Sequence, residues 1–181
     1  MKYTEGPIHG LWIIQPQIHT DSRGYFMEAF KQEEFDQQVG ETKFIQENQS
    51  RSSFGVLRGL HFQSGDTAQA KLVRVIEGAV WDVAVDIRKD SPTFGQYFAI
   101  ELSAENNTQF FIPRGFAHGF LVLSETATFL YKVDNGYSPS TEHTLNCLDP
   151  ELNIPWPLDS DQWILSDKDK AGQSLNSYNS F

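Results

Sequence analysis

Apolar and polar residues alternate along most of this chain with a period of two, in short runs. KLVRVIEG turns at Gly78 into AVWDVAVDIR, where Val83, Val85 and Ile87 fall on one side and Asp82, Ala84 and Asp86 on the other. GQYFAIEL, QFFIP, GFAHGFLVL and TATFLYKV continue the series up to Val133. Gly78, Ser91-Pro92, Asn106-Asn107 and Pro113 punctuate it at roughly ten-residue intervals, the spacing of an all-β sandwich or barrel. Upstream, residues 11–18 predict a first short strand, DSRG (21–24) a turn, and KQEEFDQQV (31–39) one short helix that is acidic in its first turn and stopped by Gly40. Residues 43–49 are again strand-like. GVLRGLHFQ (55–63), taken as extended, places Leu57, Gly59, His61 and Gln63 on one face and Arg58, Leu60 and Phe62 on the other. No interval carries the long amphipathic helices that an α/β fold requires. Beyond Pro150 the chain is rich in Pro and Asp and reads as a wrapping tail, so residues 1–181 form a single domain.

Composition narrows the function. A chain of 181 residues with 39% hydrophobic and 13% aromatic content can bury a sizeable core. A net charge of −10 argues against a nucleic-acid partner, which needs a basic face, but leaves room for a few converging cations to hold a small anion. The single cysteine, Cys147, excludes an intramolecular disulfide and suits a reducing compartment. The longest apolar run near the amino terminus covers only residues 11–14, too short for a signal core or a membrane span. These features predict a cytoplasmic protein with no membrane association.

The five histidines (His9, His19, His61, His118 and His143) lie far apart, without the closely spaced HxH pair expected of a metal-binding jelly roll. Metal-free acid–base chemistry is therefore the expectation, with no cofactor. It needs a base titrating near neutrality, a group to return the proton, and a device to hold developing negative charge. His61 is the candidate base, Lys71 and Arg58 are nearby cations, and Tyr131 and Tyr137 are weak acids. Taken singly, each has a plainer reading. A lone histidine more often hydrogen-bonds within a core, a tyrosine more often packs, and Asp167 and Asp169 read as solvated charge.

Several blocks together carry a resemblance. They are DSRGYFMEAF (21–30), FIQENQS (44–50), GVLRGLHFQ (55–63), AQAKLVRVIEGAVWDVAVDIRKDSPTFG (68–95), IPRGFAHGFLVLSE (112–125), YKVDNGYSP (131–139) and WILSDKD (163–169). In this order they resemble the dTDP-4-dehydrorhamnose 3,5-epimerase family, metal-independent members of the cupin superfamily. The resemblance implies a jelly-roll homodimer acting on a dTDP-4-keto-6-deoxy sugar. Catalysis would invert C3 and C5, the carbons beside the C4 ketone, on the way to dTDP-rhamnose.

By the same resemblance His61 takes the proton, Asp169 orients it, Tyr131 returns a proton from the opposite face, and Lys71 sits near the C4 oxygen. His118 and Arg58 match sugar and diphosphate contacts. Arg23 and Glu28 match the nucleotide site together with Gln46, Glu47 and Asn48, and the Arg23–Glu28 stretch is expected to come from the partner of a dimer. Tyr137 matches the position that stacks on thymine, and Gln63, Glu142 and Lys168 match further substrate contacts. The chain departs from the family's usual residues at Glu47 (Asp), Ala70 (Gly) and Cys147-Leu148 (Trp-Asn). None of these is a proposed catalytic group, although they leave open epimerisation at one carbon only. A non-catalytic nucleotide-sugar binder would be expected to lose His61 or Tyr131, and both are present.

Overall fold

The structure, a computed structural model, describes residues 1–178. The short alternating runs form two antiparallel sheets packed face to face. One contains β1 (Lys2–Glu5), β2 (Trp12–Gln15), β5 (Gln46–Ser53), β7 (Lys71–Glu77), β10 (Gln109–Ile112) and β12 (Thr126–Val133), in the order β1-β2-β10-β7-β12-β5. The other contains β6 (Leu57–Gln63), β8 (Ala79–Asp86), β9 (Tyr97–Ser103), β11 (Phe116–Val122) and β13 (Glu142–Thr144), in the order β13-β6-β11-β8-β9. A separate hairpin, β3 (Ile18–Asp21) with β4 (Gly24–Met27), stands apart from both. The architecture is the all-β, jelly-roll sandwich that the spacing and the resemblance imply.

Period-two patterning divides the core into three layers. Between the sheets lie Val73, Val75, Val80, Ala84, Phe110, Ile112 and Phe129. The outer face of the five-stranded sheet is also apolar, through Leu57, Leu60, Val83, Val85 and Leu121, and the carboxy-terminal segment covers it with Leu152, Trp156, Trp163, Leu175 and Tyr178. Each fully buried Leu or Val stabilises by about 1.5–3 kcal/mol, so the tail is held by the same term as the core. Beyond the six-stranded sheet, α1 (Gln32–Gln38) sets Phe35 against Phe44 and Phe111 in edge-on contacts.

Three expectations are corrected. The strand predicted over residues 11–18 is two strands, β2 and β3, which separate around Pro16, a residue that cannot donate to a ladder. The run at 43–49 begins pairing only at Gln46 and extends to Ser53. Most consequential, β6 does not alternate uniformly. Its pairing with β11 is His118↔His61 on one side of a break and Phe120↔Arg58 on the other, a one-residue slip. Leu57, Leu60 and Phe62 thus pack under the tail, while Arg58, His61 and Gln63 line the space between the sheets. Gly59 makes this approach feasible. It sits at φ +122°, and a Cβ there would lie 2.6 Å from the Cα of Gly119.

Candidate active site

A cavity of about 560 Å³ opens between the sheets, walled by β6 and β11 on one side and by β7 and β12 on the other. Alternation along β7 and β12 turns Lys71 and Tyr131 inward alongside the core residues Val73 and Phe129. The phase slip in β6 turns Arg58 and His61 to meet them. The tail crosses the mouth and contributes α2 (Asp167–Lys170), whose Ser166 caps it by accepting from the Asp169 amide.

Asp169 is buried, and its Oδ1 lies 2.6 Å from Nε2 of His61. The same oxygen accepts the Gly59 amide at 3.2 Å, and Oδ2 accepts the Ser166 hydroxyl at 2.6 Å. Burial alone would raise this carboxyl. The hydrogen bonds from His61, Ser166 and Gly59 outweigh it and hold Asp169 below the usual carboxylate range. An ionised carboxylate only accepts, so in this contact Nε2 of His61 is the donor and Nδ1 is the ring nitrogen left to act as a base. At 27% side-chain exposure, His61 remains accessible from the cavity.

A second histidine–carboxylate pair lies deeper. His118 Nε2 is 3.0 Å from both oxygens of Asp82, and both residues are buried. Burial pushes the His118 imidazole down; Asp82 opposes this, and Lys71 and His61 add to it. Lys71 is pushed down to about 8 by burial, against the pull of Asp82 and Glu142. Its ammonium donates to the His61 carbonyl at 3.4 Å, which places a cation beside both pairs. Tyr131 is raised by burial, with Asn48 hydrogen-bonded to it and Arg58 pulling the other way, so the phenol is protonated at neutral pH.

At the mouth, the Tyr137 hydroxyl donates to Glu142 at 2.7 Å, and Glu142 also pairs with Lys168. Tyr137 itself is 60% exposed. Cavity residues expected from the sequence are therefore brought together: Arg58, His61, Gln63, Lys71, His118, Tyr131, Tyr137, Glu142, Lys168 and Asp169 all line it. The remaining candidates do not line the cavity, although Asn48 reaches the Tyr131 hydroxyl from β5. Arg23 is an exposed turn residue paired with Asp21, Glu28 is exposed, Glu47 pairs with Lys132 at 2.8 Å, and Gln46 donates to Asn48. Among the described residues, no group of three or more His, Cys, Asp and Glu is arranged to hold a metal ion.

Two contributors escaped the reading of the sequence. Asp82 was visible as a charged residue within an otherwise apolar strand, AVWDVAVD, where a buried carboxylate demands a donor. Ser166 carried the weaker signal of a cap before a short helix.

This constellation can abstract a proton with His61, hold an oxyanion near Lys71 and supply a proton from Tyr131 in the opposite sheet. Comparison with known proteins identifies the family. The family model described as dTDP-4-dehydrorhamnose 3,5-epimerase matches residues 5–177. The dTDP-4-dehydrorhamnose 3,5-epimerase of Shigella flexneri is 49% identical over 176 residues, covering 97% of this chain and 96% of that one. A crystal structure of the enzyme from Elizabethkingia anophelis NUHP1 superposes with a TM-score of 0.95 at 49% identity, covering 99% and 98% of the two chains. The dTDP-6-deoxy-D-glucose-3,5-epimerase of Legionella pneumophila Philadelphia 1, solved in complex with dTDP-4-keto-L-rhamnose, gives 0.93 at 50% identity, covering 97% and 93%. With the match spanning cavity, tail and both sheets, the chain belongs to the dTDP-4-dehydrorhamnose 3,5-epimerase family.

Proposed function

We propose that this chain converts dTDP-4-dehydro-6-deoxy-D-glucose to dTDP-4-dehydro-L-rhamnose, inverting C3 and C5 by acid–base catalysis. The observation that carries the mechanism is the placement of base and acid. His61 stands on one sheet and Tyr131 on the other, with one cavity between them. Inversion at carbon needs a proton removed from one face and returned to the other, and two facing sheets supply two faces.

In each step His61 removes the proton next to the C4 ketone, and Asp169 stabilises the imidazolium that forms. The electron pair moves onto the C4 oxygen. The Lys71 ammonium is worth most there, because its attraction grows as the enolate charge develops. His118, held neutral with its Nε2 proton directed at Asp82, shapes the same wall. Tyr131 then protonates the carbon from the far side. Arg58, on the His61 strand, suits a diphosphate through its planar guanidinium.

The nucleotide end is completed by a second copy of the chain. Arg23 and Glu28 lie outside the cavity on and beside the β3–β4 hairpin, whose Tyr25 and Phe26 are 62% and 70% exposed. Such aromatic exposure on a hairpin beside the sandwich suits burial in an interface. Sedimentation at assay concentration should show a dimer, and a fully active monomer would rule this arrangement out.

The decisive experiment follows solvent deuterium into the dTDP-4-keto sugar by NMR. Label should enter at both C3 and C5 with inverted configuration. Label confined to one carbon would reduce the activity to single-site epimerisation.

A further inference from the structure

Gln63 ends the strand that carries His61 and is buried, with 7% exposure. Its side chain lines the cavity, yet its amide is engaged by main chain on every side. Nε2 donates to the Thr67 carbonyl at 2.7 Å and to the Gly136 carbonyl at 3.0 Å. Oε1 accepts the Ser138 amide at 2.7 Å. The last two partners flank Tyr137, so one side chain grips the backbone immediately before and after that exposed ring. A second amide reinforces the first of these contacts, since Gln69 donates to the Asn135 and Gly136 carbonyls at 2.8 and 3.3 Å.

We infer that Gln63 is a positioning residue for nucleobase recognition, acting through Tyr137 rather than by touching the substrate. The inference rests on the proposed function and on the stacking of Tyr137 against thymine that the family resemblance implies. An exposed aromatic on a turn gains affinity only if its orientation is set before the ligand arrives, because ordering it afterwards costs conformational entropy. The Tyr137 hydroxyl is tied to Glu142, and the main chain beneath it is tied to Gln63. Two tethers on one residue define both the position and the tilt of the ring. The donor and acceptor pattern is specific to an amide. A carboxylate would face two carbonyl oxygens, and an apolar side chain would leave all three main-chain groups without this partner.

The test is a double-mutant cycle on dTDP binding by calorimetry, with inorganic pyrophosphate as a probe that lacks the base. Gln63→Met should weaken dTDP on the order of tenfold, the scale on which lost preorganisation acts. Pyrophosphate affinity should be unchanged, which also reports that the variant is folded. Tyr137→Ala should weaken dTDP as well, and adding Gln63→Met to it should cause no further loss. Gln63→Glu, which would turn a carboxylate oxygen toward the Thr67 and Gly136 carbonyls, should weaken dTDP at least as much as Gln63→Met. In steady-state turnover of the dTDP-keto sugar, KM should rise in Gln63→Met by about the same factor as the dTDP dissociation constant.

Three outcomes would overturn the assignment. Additive losses in the double variant would mean that Gln63 contacts the ligand directly. Equal weakening of dTDP and pyrophosphate would mean a general structural role. Unchanged dTDP affinity in Gln63→Met, with Tyr137→Ala still weak, would refute the clamp alone. Normal dTDP binding by Tyr137→Ala would instead refute the stacking on which it rests.

Discussion

The cavity contains two histidine–aspartate pairs of the same composition, and their differences explain a division of labour. His61 is reached from the cavity and takes its carboxylate from the tail, 108 residues away in sequence. His118 is only 7% exposed and takes its carboxylate from the adjacent strand β8, 36 residues away. Asp169 makes one near contact to its imidazole and is itself braced by Ser166 and Gly59, whereas Asp82 offers both oxygens to His118 at equal distance. A base must gain and lose a proton in contact with substrate, so it needs access and a braced partner for its cationic form. A buried imidazole lowered by desolvation instead stays neutral, which suits a wall that must not change charge beside Lys71. Chemically identical pairs thus differ in burial and in the source of the carboxylate, and the proposed mechanism gives them different roles for that reason.

That contrast can be broken most severely at the accessible pair. His61→Ala should lower kcat/KM by about 10⁴-fold and abolish deuterium entry at both carbons, since no enolate forms. Residual exchange near the wild-type rate would remove His61 from the role of base. Asp169→Asn should come next, with a loss on the order of 10³-fold, because an amide neither fixes the tautomer nor stabilises the imidazolium. The parallel change Asp82→Asn should cost only about tenfold, because the neutral His118 still finds an acceptor there. Equal losses at the two aspartates would erase the distinction drawn here.

The smallest effect sharpens the contrast through the cation between the pairs. Lys71 carries its charge below its lowered value of about 8 and loses it as pH rises through that value. The pH profile of kcat/KM should therefore fall on its alkaline side, with a loss of about twofold from this group at its own pKa. Lys71→Met should lower the plateau and remove that limb. A limb retained in the variant would belong to another group.

Much of this arrangement could be read from the sequence, and the exceptions are instructive. The apolar runs of β7, β8, β9, β11 and β12 marked them as strands, whereas the polar β5 was located only in part and β1 and β13, with four and three residues, are too short to show a period. Alternation assigned β8 correctly but misplaced Arg58, because the slip opposite Gly119 depends on a neighbouring strand. Asp167 and Asp169 could not be separated by pattern. In the fold, the side chain of Asp167 is fully exposed and that of Asp169 is 4% exposed. Only the family resemblance assigned Asp169 to His61, since a contact across 108 residues leaves no local trace. Arg23 and Glu28 lie outside the cavity of the single chain, and no pattern in the sequence marks where an exposed hairpin residue will sit.

The late origin of Asp169 also sets an order of events during synthesis. His61 emerges from the ribosome long before its carboxylate is translated, and the strands around it can pair while the imidazole is still unbraced. Only when residues 164–169 close beside β6, through the Val56↔Ile164 bridge and the Ser166 cap, does the imidazole acquire its partner. A chain clipped ahead of Ser166 would lack both the Asp169 carboxylate and the Leu175 and Tyr178 side chains that help cover the outer face of the five-stranded sheet. By the proposed mechanism, the base in this cavity therefore becomes competent only when a segment 108 residues later in the chain has folded back beside it.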